Sequence, residues 1–156
     1  ENNNPVIYKI NVAAFIIDDL KNDDILFKDE THKMIFDIFD KALDDEMLPK
    51  EQFFVSHENE KIAELAANLL SSRYKLDNWG KHEIKVKTET DVLSKMVYSS
   101  ILRFKDMVID EKRIELTRQI METNNIDDQI ILLARKKKLD ELRMKINKEL
   151  GIVITK

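Results

Sequence analysis

The chain is rich in side chains that do acid–base and metal chemistry, with 30 Asp and Glu and three His among 156 residues. Their spacing is what limits them. The acids come as neighbours, at Asp18-Asp19, Asp23-Asp24, Asp44-Asp45 and Asp127-Asp128, each at a predicted helix end or turn where a carboxylate caps or solvates. No Asp-x-Asp occurs, so the two-aspartate magnesium pattern of nucleotidyl transfer is missing. A helical di-metal centre needs two Glu-x-x-His pairs on facing helices. The nearest match is Asp29-Glu30-Thr31-His32, where Asp29 already serves as a helix cap, and His32, His57 and His82 lie far apart. There is no Gly-rich phosphate loop, no Gly-x-Ser-x-Gly elbow and no cysteine nucleophile. The pattern predicts no catalytic residues, no metal ligands, no cofactor and no small-molecule substrate for this stretch of chain.

The elements explain why chemistry is scarce. Gly and Pro are two each and 36% of residues are charged, a composition that favours long helices with few turns. An all-α fold is expected, a helical bundle continued by a long helix into a C-terminal antiparallel hairpin. The long helix reads from Asp91 to Asn124, turns at Asn124-Asn125, and a second helix returns to Leu150. From Val92 to Ile109, 11 of 18 residues are apolar, against four of 16 from Asp110 to Asn125. A helix apolar on several sides is buried in a bundle, and one with a thin stripe has a single neighbour. The expected division is therefore a bundle over 1–108 and a protruding hairpin over 109–156, sharing the helix 91–124.

Upstream, Val6 to Ile10 reads either as an extended lead-in or as the start of a helix. Asn11 caps a helix with Val12, Phe15, Ile16 and Leu20 inward, ended by Asn22-Asp23-Asp24. Asp29 caps a second helix running to about Met47. Pro49 suits the first turn of a short helix carrying Phe53, Phe54 and Val55. Ser56 or His57 caps the next, with Ile62, Leu65, Ala66, Leu69 and Leu70 inward. Leu76 to Lys87, with Trp79 and Gly80, is the least regular part, and Ile84 and Val86 suit a short extended piece. Gly151 is the expected C-terminal cap before the apolar tail Ile152, Val153 and Ile154. The opening Glu-Asn-Asn-Asn suggests a fragment of a longer protein, the absence of cysteine fits the cytoplasm, and no apolar run is long enough to span a membrane.

The returning helix carries the recognition residues. Leu132, Leu139, Leu142 and Ile146 share one side and face Ile109, Leu116 and Ile120 of the long helix. The same wheel turns Ile130, Leu133, Lys137, Met144 and Lys148 outward, three apolar groups interleaved with two lysines, a surface suited to a protein partner. Ile130 and Leu133 have an alternative use, closing the hairpin end across the turn. Charge divides as −8 over 1–80, +1 over 81–124 and +3 over 125–156, so the acidic first part is unsuited to phosphate backbones. The run Arg135, Lys136, Lys137 and Lys138 leaves a second reading, a nucleic-acid-binding helix or generic adaptor, beside that of a solvated face.

Four stretches carry a family likeness. Ala14-Phe15-Ile16-Ile17-Asp18-Asp19-Leu20-Lys21-Asn22-Asp23-Asp24-Ile25 resembles the opening of the C-terminal domain of bacterial DNA primase, in the form found in Bacteroidetes-like bacteria. So do Glu51-Gln52-Phe53-Phe54-Val55-Ser56-His57 and the helix Ile62 to Ser71 before Tyr74, as does Lys148-Glu149-Leu150-Gly151. The resemblance implies a non-catalytic cytoplasmic domain that docks primase on the replicative hexameric DNA helicase at the fork, with polymerase and zinc-ribbon domains upstream. Some members of that family also bind the acidic tail of single-stranded-DNA-binding protein through basic residues on the bundle, and no motif here fixes the position of such a pocket.

Overall fold

Helix starts follow the side chains that can accept a backbone N–H. In the computed structural model, which describes residues 11–76 and 89–152, Asn11 accepts from the amides of Ala13 at 2.9 Å and Ala14 at 3.4 Å and opens α1, Val12–Asn22. Asp29 accepts from the His32 amide at 2.9 Å and opens α2, Glu30–Asp44. α3 is Glu51–Val55, preceded by Lys50 with no side-chain cap, so Pro49 stands just outside the helix and not in its first turn. α4, Glu60–Leu76, is capped by Asn59, whose side chain accepts from the Lys61 amide at 3.0 Å. This corrects the expectation of Ser56 or His57. Ser56 instead closes α3 by donating to the Gln52 carbonyl at 2.7 Å, and His57 Nδ1 accepts from the Asn59 amide at 3.0 Å. α5 is Glu89–Glu122 and α6 is Ile126–Glu149; among the described residues there is no strand.

Helix ends follow an equally local rule. α6 ends with Gly151 at φ 70°, its amide donating to the Lys148 carbonyl and that of Ile152 to Asn147. That double bond is the Schellman motif, and its left-handed residue favours glycine. α1 and α2 end in the same way on side-chain-bearing residues, Asp24 at φ 51° and Glu46 at φ 53°. The end of α1 gains a seal, since Ile25 is buried and Leu20 is 2% exposed.

The chain divides into two units, Glu1–Val86 and Lys87–Lys156, so the whole of α5 belongs with α6. The expected division at 108/109 differs from this one. Apolar density over 92–109 predicts burial on several sides, yet Leu93, Met96, Tyr98 and Met107 are 46–61% exposed while Ile101, Leu102 and Ile109 are buried. In the first unit α1 packs on α2, α2 on α4 and α3 on α4. Its buried side chains are Ile17, Leu20, Ile25 and Ile62, the last fully enclosed and contributing about 1.5–3 kcal/mol. Phe39 of α2 stacks on Phe54 of α3 at 5.1 Å, Phe27 meets Phe36 at 5.6 Å, and Lys21 bridges to Asp40 at 3.0 Å. Leu69, expected inside, is 63% exposed. The readings on Val6–Ile10, Trp79, Gly80, His82, Ile84, Val86, Val153 and Ile154 lie outside the described residues.

A Cβ in the left-handed region is strained, and Glu46 is exposed with no packing to lose. Glu46→Gly should raise stability by about 0.5–1 kcal/mol, seen as a higher urea midpoint at unchanged slope. An unchanged or lowered midpoint would contradict the assigned conformation.

Candidate functional site

Within the hairpin unit, α5 and α6 run antiparallel around an apolar seam. Leu102, Ile109 and Ile146 are each 7% exposed and pack as one cluster, with Leu139 and Leu150 against it. Leu132, Leu116 and Ile120 are half-buried. The inward assignment therefore holds for Leu132, Leu139 and Ile146. It does not hold for Leu142, which is 46% exposed because it lies at the flank of the wheel, past the edge of the seam. Leu102 also belongs to the core, although it has no place in the expected set.

Along one edge of the seam runs an ionic lattice. Arg143 donates to Asp106 at 2.8 Å and to Asp110, Arg113 donates to Asp110 at 2.8 Å and to Asp140, and Lys136 reaches Asp140 at 3.5 Å. Asn147, buried at the same edge, donates to Asp106 at 3.5 Å. Burial works to raise the Asp140 carboxyl, but the hydrogen bond and charge of Arg113, with Lys136 behind it, hold it below its ordinary range. The hydrogen bond that Arg143 donates to Asp106 pushes its guanidinium up despite partial desolvation. The signal was present in the sequence as spacings: steps of four and three at Asp106, Asp110 and Arg113, and of four, three and four at Lys136, Asp140, Arg143 and Asn147. Each set lies on one edge of its helix. Which edges meet is a tertiary fact that spacing leaves open.

The five residues expected to face a partner lie together on the side of α6 turned away from Leu139 and Ile146. Ile130 is 59% exposed, Leu133 52% and Met144 54%, and Lys137 and Lys148 are exposed as well. At about 100° per residue they fall within a sector of about 60°. Ile126, 72% exposed and in the same sector, belongs with them and was missed because it sits in the first turn. The turn is held by Asn125, which accepts from the Asp127 amide at 2.9 Å, and by Gln129, which donates to the Thr123 carbonyl at 2.8 Å.

The other sites of the sequence are not brought together. Asp29 is engaged as a cap, with His32 Nδ1 3.4 Å from the same oxygen, and the backbone bond from His32 lowers its carboxyl. They line a shallow hollow of about 280 Å³ with Thr31, Lys61 and Glu64; another of about 590 Å³ lies between Pro49 and Leu70. Among the described residues no three His, Asp or Glu side chains are placed to share a metal ion, and no helix is long and apolar enough to cross a membrane. Arg135, Lys136, Lys137 and Lys138 splay around the helix at successive 100° steps, and Lys136 is engaged in the lattice.

Among known proteins, the family model described as Domain of unknown function (DUF8430) matches residues 1–153, and the chain belongs to that family. No curated protein and no solved structure matches it.

Because the folded Asp140 pKa is lowered, its contribution is complete above the ordinary carboxylate value and is lost as pH falls through the folded one. Hairpin helicity followed by circular dichroism should therefore weaken below about pH 4. Arg113→Met should flatten that acid limb, and an unaltered limb would show that the pair does not hold the hairpin. Arg143→Met, which strips a donor from both Asp106 and Asp110, should cost about 1–3 kcal/mol in urea unfolding, whereas a loss near zero would count against the lattice.

Proposed function

We propose that this member of the DUF8430 family is a non-catalytic docking domain, and that its outer α6 face binds the replicative hexameric DNA helicase as the helicase-binding domain of a bacterial DNA primase. The observation that carries the docking part is the coincidence of Ile126, Ile130, Leu133 and Met144 on one exposed sector with Lys137 and Lys148. Covering such side chains is worth about 1.5–3 kcal/mol each, enough for several of them to offset the entropy of association. The lysines contribute steering toward an acidic rim more than affinity. The identity of the partner rests on the primase-like stretches Ala14–Ile25, Glu51–His57, Ile62–Ser71 and Lys148–Gly151, which span both units. On this reading the domain works in the cytoplasm at the replication fork and leaves primer synthesis to domains elsewhere in the parent protein.

The nucleic-acid reading draws less support. A phosphate track needs several cations on one face, and the basic run of α6 distributes its charges around the helix.

Ile130→Asp with Leu133→Asp should abolish co-migration with the replicative helicase in size-exclusion chromatography while helical circular dichroism is retained. Binding undiminished by that pair of changes would refute the α6 face, and absence of binding by the unaltered chain would refute the partner. Binding that fell steeply with salt would favour phosphate contacts instead.

A further inference from the structure

α5 carries a second apolar seam for which docking through α6 has no use. Leu93, Met107, Ile114 and Met121 stand on a single seven-residue register and are 49%, 52%, 65% and 79% exposed. Met96, 61% exposed, lies beside Leu93 on the same face. The seam that meets α6, Leu102, Ile109 and Leu116, has the same seven-residue step. Met107 and Ile109 are two residues apart, about 200° around the helix, so the second seam lies on the side of α5 turned away from α6. An apolar repeat of seven is the register in which one helix packs along another.

Charge selects the occupant. Arg103 interrupts the seam between Met96 and Met107, and Glu111 follows Met107 by as many residues as Arg103 precedes it. Both are exposed. In a parallel pairing with the same helix, Arg103 would face Arg103. In an antiparallel pairing centred on Met107, residues equally distant from it oppose each other. Arg103 then meets Glu111, Leu93 meets Met121 and Ser100 meets Ile114, and a two-fold axis repeats each contact. No like charges oppose on the seam in that arrangement.

We propose that the outer seam of α5 is a self-association surface, occupied by the α5 of a second copy of this chain in antiparallel register about Met107. The paired stretch, Leu93 to Met121, is about 40 Å long. Both α6 faces remain on the outer edges of the two hairpins, so a dimer offers two docking faces to whatever binds there, and a partner with repeated subunits is held by both at once. The dimer itself does not depend on the identity of that partner.

Sedimentation equilibrium of the full chain up to about 1 mM should show the 18.4 kDa species giving way to one of twice the mass. Met107→Lys with Ile114→Lys should keep it monomeric over the whole range with helicity intact. Arg103→Glu alone should weaken the dimer at least tenfold, and Arg103→Glu with Glu111→Arg should restore it, which a parallel pairing or an exchanged-helix dimer would not do. A chain monomeric throughout, a dimer indifferent to Met107→Lys with Ile114→Lys, or a charge swap that fails to rescue would each overturn the proposal. Ile130→Asp with Leu133→Asp should leave the dimer unchanged, which separates failure here from failure of the α6 docking face.

Discussion

The hairpin depends on the register between α5 and α6, and two kinds of interaction share the work of setting it. The apolar seam of Leu102, Ile109, Ile146, Leu139 and Leu150 supplies the attraction. Apolar contact is non-directional, however, and a repeating stripe tolerates a slide along the axis. The ionic edge does not. A one-turn slip would carry Arg113 from Asp140 to the level of Lys136, setting cation against cation. A single partly exposed ion pair is worth little, and the connected lattice adds to stability as a network while it discriminates among registers. Asn147 extends that role to a buried position, where an amide with its partner displaced would be costly.

A different charge cluster illustrates the limit of such arguments. Arg118 binds both Glu115 and Glu122 on the exposed side of α5, and the bond from Arg118, with Gln119 second, lowers the Glu115 carboxyl to about 2. The shift is large, yet all three carboxyl and guanidinium partners stand about half-exposed and lie on a single helix. They reinforce helical local structure at i, i+3 and i, i+4 spacing and say nothing about which helices meet. Asp110 and Asp140 matter more, because each also has a partner on the other arm, Arg143 and Arg113 respectively.

Local physics was legible in the chain, and tertiary pairing much less so. Asn11, Asp29 and Gly151 act as read, since a cap requires only a side chain or a φ angle and its immediate neighbours. The cap is Asn59, whereas Ser56 and His57 can accept a hydrogen bond but stand three and two residues too early. The outward face of α6 was likewise readable, because period alone separates Ile130 and Leu133 from Leu139 and Ile146. The errors concern residues whose apolar character was taken as proof of a neighbour. Leu69, Leu142, Leu93, Met96 and Met107 are all apolar and all more than 45% exposed. Counting apolar residues measures how much surface wants covering, and the identity of the cover is a separate question.

That separation bears on function. Among the described residues no three His, Asp or Glu side chains are placed to share a metal ion, while two apolar sectors of one hairpin stand exposed. Both sectors are interrupted by charge, α6 by Lys137 and α5 by Arg103. Such interruptions reduce the affinity available from burial, and they also reject partners that present the same sign at that level. An unbroken stripe of Ile and Leu would bind more tightly and with less discrimination, and would favour aggregation. On the proposed docking reading, the interleaved charges would turn a generic hydrophobic surface into one that selects its partner and its direction of approach.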